Sequence, residues 1–425
     1  MKQKILGTLV SSLALAACSS TSSGSGDLFT GGAGGNPGST GATGGVELGG
    51  STGSGATGGG LNLGGAPTDG GGGTGTCSSG PTDDKDGDGF TPQDGDCNDC
   101  DANANPGAYD VASNNVDEDC NGTVDDTVTN CDGAITDVAD ADPMNGARAI
   151  GLCQQATAGD KKWGVLEAKW VAADGSPLTG HDNGHGLLNA FGPNVNCQEG
   201  TRMLGLSSGT ARQPTDPGYQ SVGGYSSSAS SACPTGFPIE SPSCGSAVSG
   251  TTANDPAGLE LKIRVPTNAK SFSFNFNFYT YEWPVYVCTQ YNDFFVALLN
   301  PAVNATPPQY SNISFDTQGN PVSVNNAFLE ACDPTIGATN PGGKNFPCTL
   351  GIGILSGTGF DTSHAATGWL ETVAPITPGS EMILRYAVWD AGDHILDSSV
   401  LVDNFKFSAD QASNTPTTKP VPTPK

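Results

Sequence analysis

Carboxylates recur at every second position in one short stretch of this chain: Asp84, Asp86 and Asp88, with Gly89 directly after. The stretch opens DKDGDGFTPQDGDCND at Asp84 and closes DEDCNGTVDD at Asp126. Anions this dense repel one another, and apolar burial cannot offset that repulsion, so a cation is expected among them. Hard oxygen ligands at positions 1, 3 and 5, then a glycine turn at position 6, are what a calcium loop requires. Phe90, at position 7, would offer its backbone carbonyl. Position 12 is Gly95, where an EF-hand needs a bidentate Glu, so the loop is not a complete EF-hand. Asp94, Asp96, Asp99 or Asp101 could supply the missing ligands. A second, shorter loop repeats the logic, with Asp117, Asp119 and Asn121 at positions 1, 3 and 5, Gly122 at position 6 and Asp125 at position 9.

Copper would want His, Met or thiolate ligands. Residues 77–131 contain neither His nor Met, and their thiols are expected to be oxidised. Calcium is therefore the leading expectation, against another hard metal or an unmetallated acidic spacer.

A second acidic group, Asp390, Asp393, Asp397 and Asp403, lies between two hydrophobic runs, and Asp293 and Glu282 could approach it across a sheet. It suits a second calcium through oxygen ligands, and equally suits the Asx turns that cap strands without metal. His181 and His185 stand four apart around Asn183-Gly184, a turn dipeptide, without the Glu of H-E-x-x-H; a solvated loop is expected rather than zinc. Gly205-Leu206-Ser207-Ser208-Gly209 fits the nucleophile-elbow pattern, but ARQPTDPG after it cannot form the required helix. Tyr281, Trp283, Tyr286 and Tyr291 form an aromatic group that reads as core with polar edges or as a sugar-stacking platform.

The elements that must position these residues follow from composition and period. The 425 residues carry a formal net charge of −26, which argues against nucleic acid and anionic membrane surfaces as partners. With 62 Gly and 29 Pro and only 14% charged residues, part of the chain reads as low-complexity. Lys2 and Lys4 precede a short apolar run from Ile5 to Ala17, as in a secretory leader. Residues 19–76, mostly Gly, Ser, Thr and Ala, are expected to form a disordered tether spanning about 40–45 Å. Residues 77–131 are the Asp- and Cys-rich module. A short helix is predicted after it, with Asp142 as N-cap, Pro143 at the first position and a continuation through Arg148 to Gln155.

From Trp163 the pattern turns to β. Lys270–Phe278 alternates strictly, with Phe272, Phe274, Phe276 and Phe278 on one face and Ser271, Ser273, Asn275 and Asn277 on the other, as in a strand with one buried face. Leu259–Pro266, Asp293–Leu299, Glu381–Trp389 and Ser399–Phe407 are further strands. The fold class is mainly β, an antiparallel β-sandwich over 132–408, closed by a Pro/Thr-rich disordered tail at 409–425. The 13 Cys leave an even dozen once Cys18 is set aside, and mostly disulfides are expected in an oxidising compartment.

Three resemblances extend this reading. Leu15-Ala16-Ala17-Cys18 resembles the lipobox of bacterial lipoproteins, which implies cleavage before Cys18, a lipid on its thiol and a place in the cell envelope, with the outer membrane or cell surface favoured. The two Asp-rich loops flanking Asn105-Pro106-Gly107 resemble the MopE-type metal-binding motif of secreted bacterial proteins over about 45 residues. That resemblance implies a Cys97–Cys120 pairing and leaves the partner of Cys100 open between Cys77 and Cys131. FNFYTYEWPVYVCTQYNDFFVALLN, NISFDTQGNPVSVNN and VAPITPGSEMILRYAVWDAGDHILDSSVLVDNFKF resemble the choice-of-anchor L domain of bacterial surface proteins, firmly from Phe272 to Phe407, with MLGLSSGTA extending the match to Met203. It implies a surface β-sandwich with no assigned catalytic activity. The expected function is thus a non-enzymatic, calcium-binding envelope lipoprotein whose sandwich takes a protein or glycan ligand. A calcium-dependent glycan-binding adhesin is the alternative, and a hydrolase built on Ser207 or on His181 and His185 the third class.

Overall fold

A computed structural model describes residues 78–126, 130–244, 248–303, 311–325, 328–337 and 343–425. The expected leader, Cys18, the Gly-rich stretch and Cys77 lie outside the described residues. Among the described residues no helix is long and apolar enough to cross a membrane.

Among the described residues thirteen strands carry the fold: β1 (Gly164–Val171), β2 (His185–Leu188), β3 (Met203–Ser207), β4 (Ser230–Ala232), β5 (Thr252–Arg264), β6 (Ser271–Thr280), β7 (Phe294–Asn300), β8 (Val322–Ser323), β9 (Ala365–Ala366), β10 (Leu370–Pro375), β11 (Glu381–Ala391), β12 (Ser398–Ser408) and β13 (Thr417–Pro420). They form two antiparallel sheets. One has the order β1-β5-β11-β7-β8, with β4 added to β5, and the other β13-β10-β6-β12-β3-β2, with β9 added to β6. The sheets pack as a sandwich.

The aromatic alternation of β6 supplies the centre of the core. Phe272, Phe274, Phe276 and Phe278 are all buried against Leu259, Leu261 and Ile263 of β5 and Leu384, Tyr386 and Val388 of β11. Phe274 meets Tyr386 edge-on, with ring centroids 5.0 Å apart, and Phe276 lies 5.0 Å from Phe295 of β7. Each such ring contributes about 1.5–3 kcal/mol through burial.

The opposite face of β6 is buried as well, which corrects the expectation of one wet face. Asn275 and Asn277 are enclosed, held by Asn404 Nδ2 donating to Asn275 Oδ1 at 2.7 Å and by Asn277 Nδ2 donating to the Tyr279 hydroxyl at 3.0 Å. The segments after β2 and before β9 fold over this face and bring Phe191, Val195, Leu355 and Phe360 against Tyr279, a second small core. A third, around Phe237, Phe294 and Trp389, covers the other sheet in the same way.

Two further expectations are corrected. Helix α1 (Pro143–Ala149) begins as predicted, with Asp142 accepting the Met144 N–H at 2.9 Å and Pro143 at the first position. It stops six residues short of Gln155, because Gly151 turns into the left-handed region (φ 97°) and Cys131–Cys153 ties the exit. The Pro/Thr-rich tail is ordered: β13 pairs antiparallel with β10, Thr372 and Thr418 share a hydroxyl hydrogen bond at 2.9 Å, and the Val421 N–H donates to the Trp369 carbonyl. Its threonines suit a strand, and its prolines sit where an edge strand tolerates a missing N–H.

Candidate metal centres

The module at residues 78–126 has almost no backbone ladder and builds its shape from carboxylate-capped turns. Gly87 and Gly89 adopt left-handed conformations (φ 82° and 92°), and their N–H groups donate to Asp84 at 2.8 and 3.1 Å. The N–H groups of Asp88, Phe90, Asn98 and Lys85 donate to one oxygen each of Asp86, Asp88, Asp96 and Asp99. This leaves Oδ2 of all four carboxylates buried with no hydrogen-bond partner. Asp84, Asp86 and Asp99 bring oxygens within 4.8 Å of one another, as do Asp86, Asp88 and Asp96, so Asp86 belongs to both triads. Burial, opposed by the Phe90 N–H, pushes the Asp88 carboxyl up to about 6, and burial raises Asp96 too. An all-oxygen donor set with unsatisfied buried anions fits a hard cation such as calcium.

A third triad forms from Asp110, Asp119 and Asp126. Asn121 Nδ2 donates to Asp119 Oδ2 at 3.0 Å and to Asp126 Oδ2 at 2.5 Å. Asp110 accepts the N–H groups of Glu118 and Asp126, both at 2.8 Å. The sequence reading missed Asp110 and Asp126, naming Asp117 and Asp125 instead. Asp117 caps the Asn121 and Gly122 N–H groups, and Asp125, in a left-handed turn (φ 52°), caps Asn114 and Asn115. Asp94, named as a possible ligand, stands outside these triads: it bonds Thr91 and lies 3.3 Å from Lys161, which hold its carboxyl below the usual range. Asp101 caps Asn103.

Cys97 and Cys120 form a disulfide that joins the two loops. Cys100 is also disulfide-bonded, and Cys131 is not available to it, since Cys131 pairs with Cys153. Cys244–Cys288 and Cys332–Cys348 staple the sandwich loops, while Cys197 and Cys233 are free thiols. The module rests on the turn between β5 and β6. Thr267 donates through Oγ1 to Asn105 Oδ1 at 2.8 Å and through N–H to the Gly107 carbonyl at 3.0 Å. Lys161 donates to the Gly89 carbonyl and sits 5.0 Å over the Phe90 ring.

In the sandwich, Asp390, Asp393 and Asp397 do lie together near Glu282 and Asp293. Asp403 is not with them. Six residues further along an extended strand is about 20 Å, and there Asp403 accepts the N–H groups of Gln198, Glu199 and Asn404 at 2.6, 3.2 and 2.6 Å. Burial, opposed by those three bonds, pushes its carboxyl up to about 7.

The remaining sequence candidates are committed to structure. His181 and His185 are buried, which corrects the solvated-loop expectation. His181 lies between the carbonyls of Gly209 and Pro256 (2.6 and 3.2 Å), and His185 stacks on Trp170 at 3.9 Å with its pKa pushed down to about 4 by burial. Ser207 is buried in β3, donating to the Ser398 carbonyl and accepting the Gly209 N–H. Of the aromatic group, Trp283 is core, Tyr281 stacks on His364, and Tyr286 and Tyr291 form a half-exposed edge-on pair.

A cleft of about 280 Å³ opens where the module meets the segment before β1, lined by Asp119, Asn121, Gln154, Lys162 and Trp163 among others. The comparison with curated proteins found no match. The sequence matches the family model described as the choice-of-anchor L domain over residues 168–408, a span that holds most of both sheets. This domain marks a protein associated with the cell surface, and the chain belongs to the choice-of-anchor L domain family.

Proposed function

We propose that this chain is a non-enzymatic, calcium-binding protein of the cell envelope, lipid-anchored through Cys18, in which calcium orders the Asp-rich module and the sandwich acts as the interaction unit. The observation that carries the reading is the set of buried Oδ2 atoms of Asp86, Asp88, Asp96 and Asp99, four anionic oxygens with no hydrogen-bond partner. Leaving such groups unmatched costs several kcal/mol per ion, and a divalent cation removes that cost. The non-enzymatic reading is supported by Ser207 and His181, whose hydroxyl and ring nitrogens are engaged in buried hydrogen bonds.

Calcium calorimetry on the full chain tests the reading. Binding is expected, with weaker binding for Asp86→Asn, which removes the carboxylate shared by two triads; no heat at millimolar calcium would sink it. Lipidation is tested by incorporation of a labelled fatty acid, expected in the wild type and absent in Cys18→Ser.

The cleft beside Asp119 favours a second reading, a calcium-dependent glycan-binding adhesin. Amide, carboxylate and indole groups together are the kind of donor set that recognises saccharides. A glycan array with and without calcium separates it from a purely structural module.

A further inference from the structure

The module's calcium does not account for a second set of acids, enclosed in the sandwich. Glu282 follows β6, Asp293 precedes β7, Asp390 is the penultimate residue of β11 and Asp397 precedes β12; they are 2, 1, 1 and 0% exposed. Asp293 stands at the centre, within electrostatic reach of Glu282, Asp390 and Asp397, and half-buried Asp393 adds negative charge toward Glu282 and Asp293. Among the described residues none of these four groups forms an ion pair with Lys or Arg, and Asp255 adds further negative charge toward Asp397.

Asp293 is hydrogen-bonded, by Ser398 Oγ at 2.6 Å and the Ala391 N–H at 3.2 Å. Its neighbours are not. Glu282 Oε2, both oxygens of Asp390 and both of Asp397 are buried without a hydrogen-bond partner. Asp390 lies against Asp293 and Ser208 without the geometry of a hydrogen bond. A β-carbon at Gly209 would fall 1.8 Å from Asp397 Oδ2, so only glycine lets that carboxylate take its place.

Buried acids escape their charge by protonation or by a cation. A protonated carboxyl is a donor that needs an acceptor, and neither oxygen of Asp397 has a hydrogen-bond partner. A cation would satisfy the free oxygens of these residues once they close around it. The available donors are carboxylates, with the hydroxyls of Ser208 and Ser398 close by, which is the chemistry of a hard ion.

We propose that Glu282, Asp293, Asp390 and Asp397 bind a divalent hard cation of the calcium class inside the sandwich, at the β11–β12 connection between the two sheets. No three of them gather their oxygens as closely as the module's triads do, so binding draws Asp390 and Asp397 toward Asp293.

The test uses the full chain, with Asp390→Asn and Asp397→Asn beside the module variant Asp86→Asn. Native mass spectrometry in calcium is expected to find one ion fewer in either sandwich variant, additive with the loss in Asp86→Asn. The melting temperature of Asp397→Asn in calcium is expected to fall by about 2–4 °C and, with chelator, to equal or exceed that of wild type. An unchanged ion count, with melting raised in both conditions as a neutral amide relieves repulsion, would overturn the proposal.

If those variants do not fold, tryptophan-sensitised terbium emission from an Asp86→Asn/Asp119→Asn chain decides. Trp283 and Trp389 adjoin Glu282 and Asp390 in sequence. Emission that persists supports the sandwich site, and its disappearance overturns it. The two centres are read separately, so failure of one leaves the other standing.

Discussion

Asn268 and Tyr109 exchange two hydrogen bonds: Asn268 Nδ2 donates to the Tyr109 carbonyl at 2.8 Å, and the Tyr109 N–H donates to Asn268 Oδ1 at 3.1 Å. Asn268 is buried on the β5–β6 turn, next to Thr267, which holds Asn105 and Gly107. One short turn of the sandwich therefore sets where the Asp-rich module sits. Asn268→Ala removes both bonds and leaves two backbone groups of Tyr109 unmatched. It is expected to destabilise the seam by about 1–3 kcal/mol. Hydrogen exchange resolved along the chain checks this: protection should fall across residues 104–110 and persist in β6.

Removing calcium should loosen the module without unfolding the sandwich. With chelator, exchange at the Phe90 and Asn98 N–H groups, which cap Asp88 and Asp96, is expected to speed up. The strands β5, β6 and β11 should keep their protection. Limited proteolysis gives a second readout, with faster cleavage between residues 78 and 126; the same cleavage rate with and without chelator would count against calcium as the ordering agent.

The pH dependence of the ion-free chain follows from Asp88, whose carboxyl burial raises from 3.8 to about 6. The folded state then holds a proton more tightly than the unfolded state. Stability from this group is complete below pH 3.8 and is lost as pH rises through about 6. Calcium, which needs the carboxylate, reverses the sense. Its affinity is expected to rise over the same interval, which calcium titrations at pH 5 and pH 7 would reveal.

The Cys97–Cys120 disulfide closes a loop with a sequence separation of 23 and brings both acidic loops to one place. Cys97→Ser/Cys120→Ser is expected to cost the module about 2–4 kcal/mol and to weaken calcium binding, because the ion must then also order the loops. Calorimetry in calcium, wild type against the double variant, measures it.

Asp403→Ala tests the reassignment of that residue from ligand to scaffold. It strips three backbone N–H groups of their shared acceptor. A loss of about 1–3 kcal/mol is expected from chemical denaturation, with the number of bound calcium ions unchanged.

The first acidic loop was legible in the sequence because its ligands are local: alternation from Asp84 to Asp88 and a left-handed Gly89 fix the turn by themselves. Asp110 and Asp126 were not, because they meet only after the chain doubles back, and the choice of Asp126 over Asp125 depends on one positive φ. The Phe face of β6 was legible as period two. The enclosed Asn face was not, since the cover on that face comes from loop residues such as Phe191 and Phe360, which pack on Tyr279 and which no local pattern links to it. Asp403 was misplaced because nearness in sequence was read as nearness in space, although an extended strand carries successive carboxylates apart.

The β13 strand has a consequence for how copies of this protein behave when crowded together on a surface. A sheet edge that ended at β10 would offer an open ladder, and a neighbouring molecule could extend it. Thr417–Pro420 occupies that edge instead, and the new edge is flanked by Pro416, Pro420 and Pro422, none of which can donate a further hydrogen bond. On this side the sheet thus ends in a short strand bordered by prolines, an edge that discourages a neighbouring molecule from extending the ladder.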